Sequence, residues 1–257
     1  MIPFTSVINI DMTPYKQTLY VVWGNFLLFV ISSIYLQSWF LLPIAIVGLY
    51  LFGCFSEVSI HRYYTHKSYE TTKFKEKLLR MFAFLAGQGA TISWVTVHRT
   101  HHAFEDTEKD PHSPLFYPWW KILLGLFPQD YKKTLVIDLM RSPGWKYFVF
   151  ENTYYWLMWT ALWAISFLIS PYLFYFIVSG SALWYIATSA VNIVNHGKLL
   201  GSVKFHNSVA TNSVLMNLLT GIGHHNNHHE YPKNYTYSTG PEFDLNGWVI
   251  KHFLKSK

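Results

Sequence analysis

Two long stretches of the chain contain no Asp, Glu, Lys or Arg. The first covers residues 17–56 and is 40 residues long, and the second covers residues 152–197 and is 46 residues long. A helix that crosses a bilayer needs about 20 apolar residues, so each stretch has room for two helices and a turn. Polar pairs beginning at Gln37 and Ser170 mark the expected turns. The pattern predicts four transmembrane helices in two hairpins, at about 18–37, 39–57, 152–170 and 172–196.

The segments outside these stretches carry all the basic residues. All 20 Lys and Arg lie before, between or after the two hairpins, and none lies in either short turn. An even number of crossings separates these three segments, so they share one side of the membrane, and the positive-inside rule predicts that it is the cytoplasmic side. We therefore expect both termini in the cytoplasm, with residues 58–151 and 197–257 forming a helical cap. Within it, residues 74–87 have the pattern of a helix lying in the membrane interface.

The composition excludes several other classes of protein. Hydrophobic residues make up 51% of the chain and charged residues 13%, against about 25% charged residues in ordinary domains. A disordered segment, a nucleic-acid-binding tail and a coiled coil all need more polar surface. We therefore interpret the net charge of +6 as a membrane-facing surface, with no nucleic-acid partner. The sequence predicts one all-α integral membrane domain over residues 1–257, and two buried hairpins in a soluble core are the weaker alternative.

Histidine is unusually frequent, with 13 residues against 14 Asp and Glu together. Most of these histidines recur at spacings of three and four, which places side chains on the same face of a helix. Each triplet with this spacing is therefore expected to converge on one point. The clusters are His61 with His66, His98 with His101 and His102, Asn192 with His196, and His225 with His228 and His229.

Nine clustered imidazoles predict a metal centre. Imidazole is a ligand for iron, zinc, copper and nickel, and a single zinc ion needs only three or four ligands, so the count favours a dinuclear site. The five-residue step from His61 to His66 turns about 140° on an α-helix, so one of the two must lie where the helix ends or bends. Glu57, Asp106 and Asp110 are either acids that balance the metal charge or ordinary loop caps and salt-bridge partners.

Three segments resemble the histidine boxes of membrane fatty-acyl desaturases, most closely the Δ9 group that includes stearoyl-CoA desaturase. They are HRYYTHKS from His61, HRTHHAFEDTEKDPHSP from His98 and GHHNNHHEYP from Gly223. The resemblance covers roughly residues 20–250. It implies a four-span di-iron enzyme with a cytosolic catalytic cap. The implied iron ligands are His61, His66, His98, His101, His102, His196, His225, His228 and His229, with Asn192 acting through water.

The remaining histidines have other expected roles. His224 stands where the family often has an aromatic residue and is left out of the ligand set. His112 is expected to be a loop residue, and His206 and His252 are expected at the surface.

The resemblance also implies the reaction. Two iron ions, which zinc can replace in overexpressed protein, would use O2 to introduce a cis double bond, at Δ9, into a saturated acyl chain. No flavin or dinucleotide motif is visible, so electrons are expected from a separate cytochrome b5 or ferredoxin. Trp94, Trp184 and Thr188 are candidates for the wall of an acyl tunnel, with plain packing as the alternative. The basic residues between Lys73 and Arg80 would contact an anionic head group or anionic membrane lipid.

The sequence contains conflicting signals about the acyl carrier. Acyl-CoA enzymes of the family often have Arg-Asp directly before the second box, where this chain has Thr96 and Val97, and Ile222 replaces an acidic residue common before the last box. The overall resemblance narrowly favours acyl-CoA, and an acyl lipid is almost as well supported. A hydroxylase or ketolase with the same metal centre is the nearest alternative function. A metal transporter is less consistent, because transporters place ionisable ligands near the bilayer midplane, and a scaffold would not need nine spaced histidines.

Overall fold

The computed structural model describes residues 13–127, 132–203, 205 and 209–256. Within these ranges the regular structure is helical, except for one isolated antiparallel bridge between Ser202 and Asn212. This agrees with the predicted all-α class.

Four long helices form the body of the molecule. Two of them, α2 and α8, continue without a break into π-helices, in which each turn is wider than in an α-helix. The long helices are α1 (Pro14–Leu36), α2 (Leu41–Phe55, continuing as Ser56–Thr65), α7 (Trp145–Ile169) and α8 (Pro171–Val191, continuing as Asn192–His196).

Shorter helices make up the rest of the described chain. They are α3 (Lys73–Leu85), α4 (Thr91–Ala103), α5 (Trp119–Leu123), a 3-10 turn (Lys133–Val136), α6 (Ile137–Met140), α9 (Val214–Thr220), α10 (His225–Glu230) and α11 (Leu245–Val249, continuing as a π-helix over Ile250–Leu254).

Both turns lie where the polar pairs predicted them. Helix α1 ends at Leu36, and Gln37 follows in the left-handed conformation with φ of 43°, a geometry that closes many helices. Between α7 and α8, the Ser170 side chain accepts a hydrogen bond from the backbone N–H of Tyr172. Pro171 is the first residue of α8, a position that needs no backbone donor.

Helix α8 is the centre of the bundle and packs against α1, α2 and α7. Gly48 of α2 and Gly180 of α8 let two backbones meet, because a Cβ on Gly180 would lie 3.0 Å from the Gly48 Cα. The buried side chain of Asn25 links its own helix, α1, to α7 and α8. Its amide donates to the Ser181 hydroxyl at 2.9 Å, and its carbonyl accepts from the Trp163 indole at 2.9 Å.

Three helices of the described chain are long and apolar enough to cross a membrane, namely Pro14–Leu36, Leu41–Thr65 and Pro171–His196. The predicted span at 152–170 lies on α7, which is not among the three. Helix α7 has 25 residues and begins earlier than expected, at Trp145. Polar and amphipathic residues such as Glu151, Asn152 and several Trp and Tyr lower its mean hydropathy below that of the others.

Apolar side chains cover the outer surface of the long helices. Ile34 is 65% exposed and Leu168 is 83% exposed, although water would disfavour both. Helix α9 also has an apolar outer face, where Val214 and Leu218 are exposed while Met216 is buried. Helix α3 falls on the segment expected to lie in the membrane interface, and Phe74 at its start is 71% exposed.

Candidate metal centre

The ends of α2 and α8 bring the first histidines together. His61 lies in the π-helical extension of α2, and His66 directly follows that extension, with its N–H bonded to the His61 carbonyl at 3.1 Å. A π-helix bonds residues five apart, so the five-residue step that does not suit an α-helix places these two imidazoles side by side. The expectation that one of them lies at a helix end is met by His66. His196 ends the corresponding extension of α8.

Nine histidines converge in two groups beside these helix ends. Within each group the candidate ligand atoms all lie within 4.8 Å of one another. The five-histidine group consists of His61, His66, His98, His102 and His228, and the four-histidine group consists of His101, His196, His225 and His229.

This division corrects the expectation that each triplet points at one spot. On α4, His98 and His102 join the five-histidine group, while His101 joins the other. Successive residues on an α-helix are 100° apart, so His101 and His102 project to different sides of their shared face. Helix α10 repeats the division, with His225 and His229 together and His228 apart. Each triplet therefore serves two positions, as a dinuclear site requires.

The imidazoles meet through their Nε2 atoms. In the five-histidine group, His228 Nε2 lies 3.1 Å from His61 Nε2 and 2.9 Å from His102 Nε2. In the four-histidine group, His225 Nε2 lies 3.0 Å from His196 Nε2 and 3.2 Å from His229 Nε2. Unprotonated ring nitrogens this close repel each other unless a cation lies between them, so the donor set fits two metal ions.

Burial keeps most of these histidines neutral, which is the form that binds metals. It lowers the pKa of His102 to about 3, and neighbouring imidazoles add to the effect. The same cause holds the pKa far below the ordinary value at other members of both groups. These are His66, His98, His101, His225, His228 and His229.

Carboxylates hold the opposite nitrogen of several rings. His61 Nδ1 lies 2.8 Å from a Glu57 oxygen and 3.1 Å from the Tyr237 hydroxyl. His101 Nδ1 lies 2.8 Å from Asp110. A carboxylate at Nδ1 keeps the proton there, so the ring presents Nε2 as a free donor to the metal.

Two further acids face the four-histidine group. His196 Nδ1 lies 3.1 Å from Asp106, and His229 Nδ1 lies 3.0 Å from Glu105. Burial raises the pKa of Glu105 to about 7, against a lowering influence from His196. The sequence left the role of Glu57, Asp106 and Asp110 open and did not single out Glu105 or Tyr237. The i, i+4 spacing of Glu57 and His61 is the only sequence signal for these contacts.

A buried arginine joins the metal centre to the C-terminal part of the cap. Arg62 is fully buried, pairs with both oxygens of Asp244 at 2.7 and 3.1 Å, and lies 3.4 Å from Glu57. Its guanidinium also lies 3.7 Å from the centre of the Tyr237 ring. Charges this deeply buried need partners, and the contact of Arg62 with Glu57 also helps to orient that carboxylate.

A cavity opens directly beside the histidines. Trp94 and Thr188 line it, together with Asn192. Gln88, which sequence reasoning missed, lies in the same wall, donating to the Thr188 hydroxyl at 2.8 Å and accepting from the Ser56 hydroxyl at 2.9 Å. Trp184, also expected in the tunnel wall, is not among the lining residues.

Trp184 instead packs within the core of the bundle. It is 1% exposed, and its ring would lie 2.8 Å from a Cβ on Gly53. Helix α2 therefore approaches α8 closely at this level because residue 53 has no side chain. The position of Trp184 between α2 and α8 fits the packing alternative.

The other histidines lie mostly where the sequence placed them. His112 is a loop residue, but it is buried, and its ring centre lies 4.4 Å from that of His101. His224 precedes α10 and belongs to neither group. His252 is exposed and rests against Trp248. His206 lies outside the described residues.

A helical body with apolar outer surfaces and two histidine groups able to hold metal ions is typical of a membrane-embedded metalloprotein. A family model described as Fatty acid desaturase matches residues 36–240. The chain belongs to this family, which confirms the resemblance read from the histidine boxes and, with the three apolar helices, identifies an integral membrane protein.

Alignments with curated relatives cover between 60% and 84% of the length of those proteins. The Delta-9 desaturase-like 2 protein of Arabidopsis thaliana is 34% identical over 183 residues, which cover 67% of this chain and 60% of that protein. The sn-2 palmitoyl-lipid 9-desaturase of Nostoc sp. (strain 36) is 31% identical over 247 residues, 90% of this chain and 84% of that protein. The acyl-CoA 5-desaturase AL21 of Anemone leveillei is 29% identical over 236 residues, with coverages of 86% and 71%.

Proposed function

We propose that this protein is an O2-dependent desaturase that introduces a cis double bond at Δ9 into a saturated acyl chain. The observation that carries the proposal is the convergence of nine histidines in two groups next to a cavity that reaches them between the long helices. Removing hydrogen from an unactivated carbon chain is beyond acid–base catalysis by side chains, so a metal cofactor must provide the oxidant.

The nine histidines would hold two iron ions, and Asn192 would contact one of them through water. When bound, the iron pair supplies the oxidising power drawn from O2. The protein's own contribution is to hold the imidazoles of His61, His196 and His101 in one tautomer through Glu57, Asp106 and Asp110 respectively. Zinc suits the same imidazole ligands, so overexpressed protein is expected to carry zinc in place of some iron.

The cavity residues would select which carbon atoms react. Trp94 stacks on the His98 ring, with ring centres 4.7 Å apart, so an acyl chain along Trp94 passes beside a metal ligand. Gln88 and Thr188 are joined by a hydrogen bond across the wall, which fixes its shape at that level. The reacting methylene groups cannot form hydrogen bonds that would orient them. Holding one carbon pair in place is therefore a large part of catalysis.

The placement in the membrane completes the proposal. Helix α7 would be the fourth span, because its second half has exposed apolar residues such as Ile165 and Leu168 and it packs against the apolar helices α1 and α8. The metal centre and both termini would face the cytoplasm, following the distribution of basic residues. Electrons would come from a separate carrier such as cytochrome b5 or a ferredoxin.

We propose an acyl lipid as the carrier of the chain. Thr96, one of the two residues at the position that often holds Arg-Asp in acyl-CoA enzymes, is fully buried and bonds to its own helix. Among the basic residues between Lys73 and Arg80, the Arg80 side chain is already paired with Glu76. The Nostoc relative, which is covered over most of its length, is by name a lipid desaturase. Lys109 and Lys132, beside a polar cavity next to Val97, would contact the head-group phosphate.

Expression in a desaturase-deficient host tests the activity. Lipid analysis by mass spectrometry should show monounsaturated chains with the double bond at Δ9, and His101→Ala should show none at equal protein level. A hydroxylated chain would refute desaturation and favour the hydroxylase alternative.

The carrier is tested separately with purified, iron-loaded enzyme and an electron donor. Stearoyl-CoA and a phospholipid with the same chain are supplied in parallel. Turnover of the phospholipid alone is expected. Turnover of the thioester alone would refute the lipid carrier and leave the desaturase proposal intact.

A further inference from the structure

The two histidine groups differ in the charge that surrounds them. We infer that the four-histidine group holds the iron that is oxidised first, and that the five-histidine group keeps its iron ferrous for longer. This inference rests on the proposed function for the identity of the metal. It concerns the carboxylates behind the ligands and which histidine each of them faces, which the spacing of the histidines does not show.

Three of the four imidazoles in the four-histidine group have a carboxylate oxygen close to Nδ1, and the contacts of His101 and His196 are hydrogen bonds. Asp110 is fully buried, and the Asp106 side chain is 3% exposed. Asp106 otherwise accepts from the Ser113 hydroxyl at 2.6 Å. In the described part of the chain, no Lys or Arg forms an ion pair with any of the three acids. The contacts are His101 with Asp110 at 2.8 Å, His196 with Asp106 at 3.1 Å and His229 with Glu105 at 3.0 Å.

The five-histidine group has one such contact among the described residues. Glu57 faces His61 Nδ1 at 2.8 Å. Its other oxygen lies 3.4 Å from the Arg62 guanidinium, which offsets part of its charge. At the other end of the group, His228 Nδ1 is buried and has no hydrogen-bond partner in the described structure. Five mostly neutral ligands therefore surround this position, with little negative charge behind them.

Charge behind a ligand affects the oxidation state that the metal prefers. A carboxylate that accepts the Nδ1 proton increases electron donation from Nε2, and an unscreened anion stabilises an ion that gains positive charge. Both effects favour the ferric over the ferrous ion, so they lower the reduction potential at the four-histidine group. Asp106, Asp110 and Glu105 are positioning residues in this account, because each acts through a histidine.

The test is a redox titration of the purified full-length protein loaded with iron-57, followed by Mössbauer spectroscopy. Removal of one electron per chain should give one ferric and one ferrous signal. Asp106→Asn should raise the potential of the first oxidation more than that of the second. This variant keeps the side-chain shape, and Asn tolerates the positive φ of 53° found there. Glu57→Gln should instead act mainly on the second oxidation.

Two further variants separate charge from local structure. Ser113→Ala removes a neutral hydrogen bond to Asp106 but keeps the carboxylate, so both potentials should stay at the wild-type values. Glu105→Gln changes a partly exposed side chain, 19% exposed, and provides a second charge-removing variant at the same group if Asp106→Asn does not fold, with both proteins titrated well above pH 7, where Glu105 is ionised. It should raise the first potential.

The opposite pattern would overturn the inference. A first oxidation that responds to Glu57→Gln and not to Asp106→Asn or Glu105→Gln would place the ferric ion in the five-histidine group. An electron shared equally between the two irons would also contradict it. A protein that shows the expected potentials but makes no double bond would support the inference and refute the proposed function. A protein that binds no iron would overturn both.

Discussion

The bundle of long helices and the expected cap, residues 58–151 and 197–257, are each stabilised by a different kind of contact. In the bundle, shape is decisive: Gly48 lies against Gly180, and Trp184 packs over Gly53. In the cap, buried charges are decisive, and Arg62 pairs with both Glu57 and Asp244. A substitution in the bundle should therefore weaken the packing only in part. Loss of one charged partner in the cap instead leaves the other charge buried and unpaired.

The largest effect is expected from a ligand in the cap. His228→Ala removes an imidazole that lies within 3.1 Å of His61 and 2.9 Å of His102, so the five-histidine position should lose its metal and desaturation should stop. Metal analysis should fall from two ions per chain towards one, while the protein still inserts into the membrane. His252→Ala, at an exposed histidine outside both groups, should retain metal and activity. Equal damage from both variants would contradict the ligand assignment.

The buried ion pair should give the next largest effect. Arg62→Met leaves Asp244 and Glu57 without their cation, and breaking a buried pair costs about 3–5 kcal/mol. The thermal midpoint in detergent should fall strongly. Lys67→Met is the matched control, because its 3.0 Å contact with Asp138 is made by a lysine side chain that is 60% exposed. Such surface pairs contribute about 0–1 kcal/mol, so equal loss in both variants would refute the distinction.

A crowding change in the bundle should cost less. Gly180→Ala places a methyl group 2.8 Å from the Phe52 ring and 3.0 Å from the Gly48 backbone. Overpacking of this kind costs about 1–3 kcal/mol. Thermal unfolding should show a moderate loss of stability with metal content unchanged. Gly240→Ala, whose new methyl group would meet only the flexible end of Glu242, is the control and should behave as wild type.

The smallest effect is expected from the polar link that joins α1 to α7 and α8. Asn25→Leu removes the hydrogen bonds to Trp163 and Ser181. Side-chain hydrogen bonds between membrane helices contribute about 0.6 kcal/mol on average, so the thermal midpoint should drop only slightly. Ser32→Ala, which loses a bond within its own helix, should change it less. A loss as large as that of Arg62→Met would show that the bundle also depends on single polar contacts.

The same contrast explains what the sequence could predict. Turns at Gln37 and Ser170 followed from polarity along the chain, because water and lipid act on every residue of a span. The histidines of both groups were visible as spaced clusters. Their division into two groups was not, since it depends on how α4 and α10 face each other.

Contacts across the chain were also beyond the sequence. Arg62 meets Asp244 after a separation of 182 residues, and no local pattern marks that pairing. The sequence contained only an indirect sign that α2 continues as a π-helix. That sign was the five-residue step from His61 to His66, which does not place two side chains on the same face of an α-helix. The expected tunnel residue Trp184 illustrates the same difficulty, because aromatic residues in apolar helices line cavities and fill cores alike.

The most direct test of the central claim follows the hydrogen atoms of the substrate. Purified enzyme with iron, O2 and an electron donor receives a saturated acyl lipid that carries deuterium at C9 and C10. When both hydrogens on C9 and both on C10 are deuterium, mass spectrometry of the product should show a cis double bond between these carbons. Each of the two carbons should have lost one deuterium. A product that loses a single deuterium and gains one oxygen atom would contradict desaturation and identify a hydroxylase.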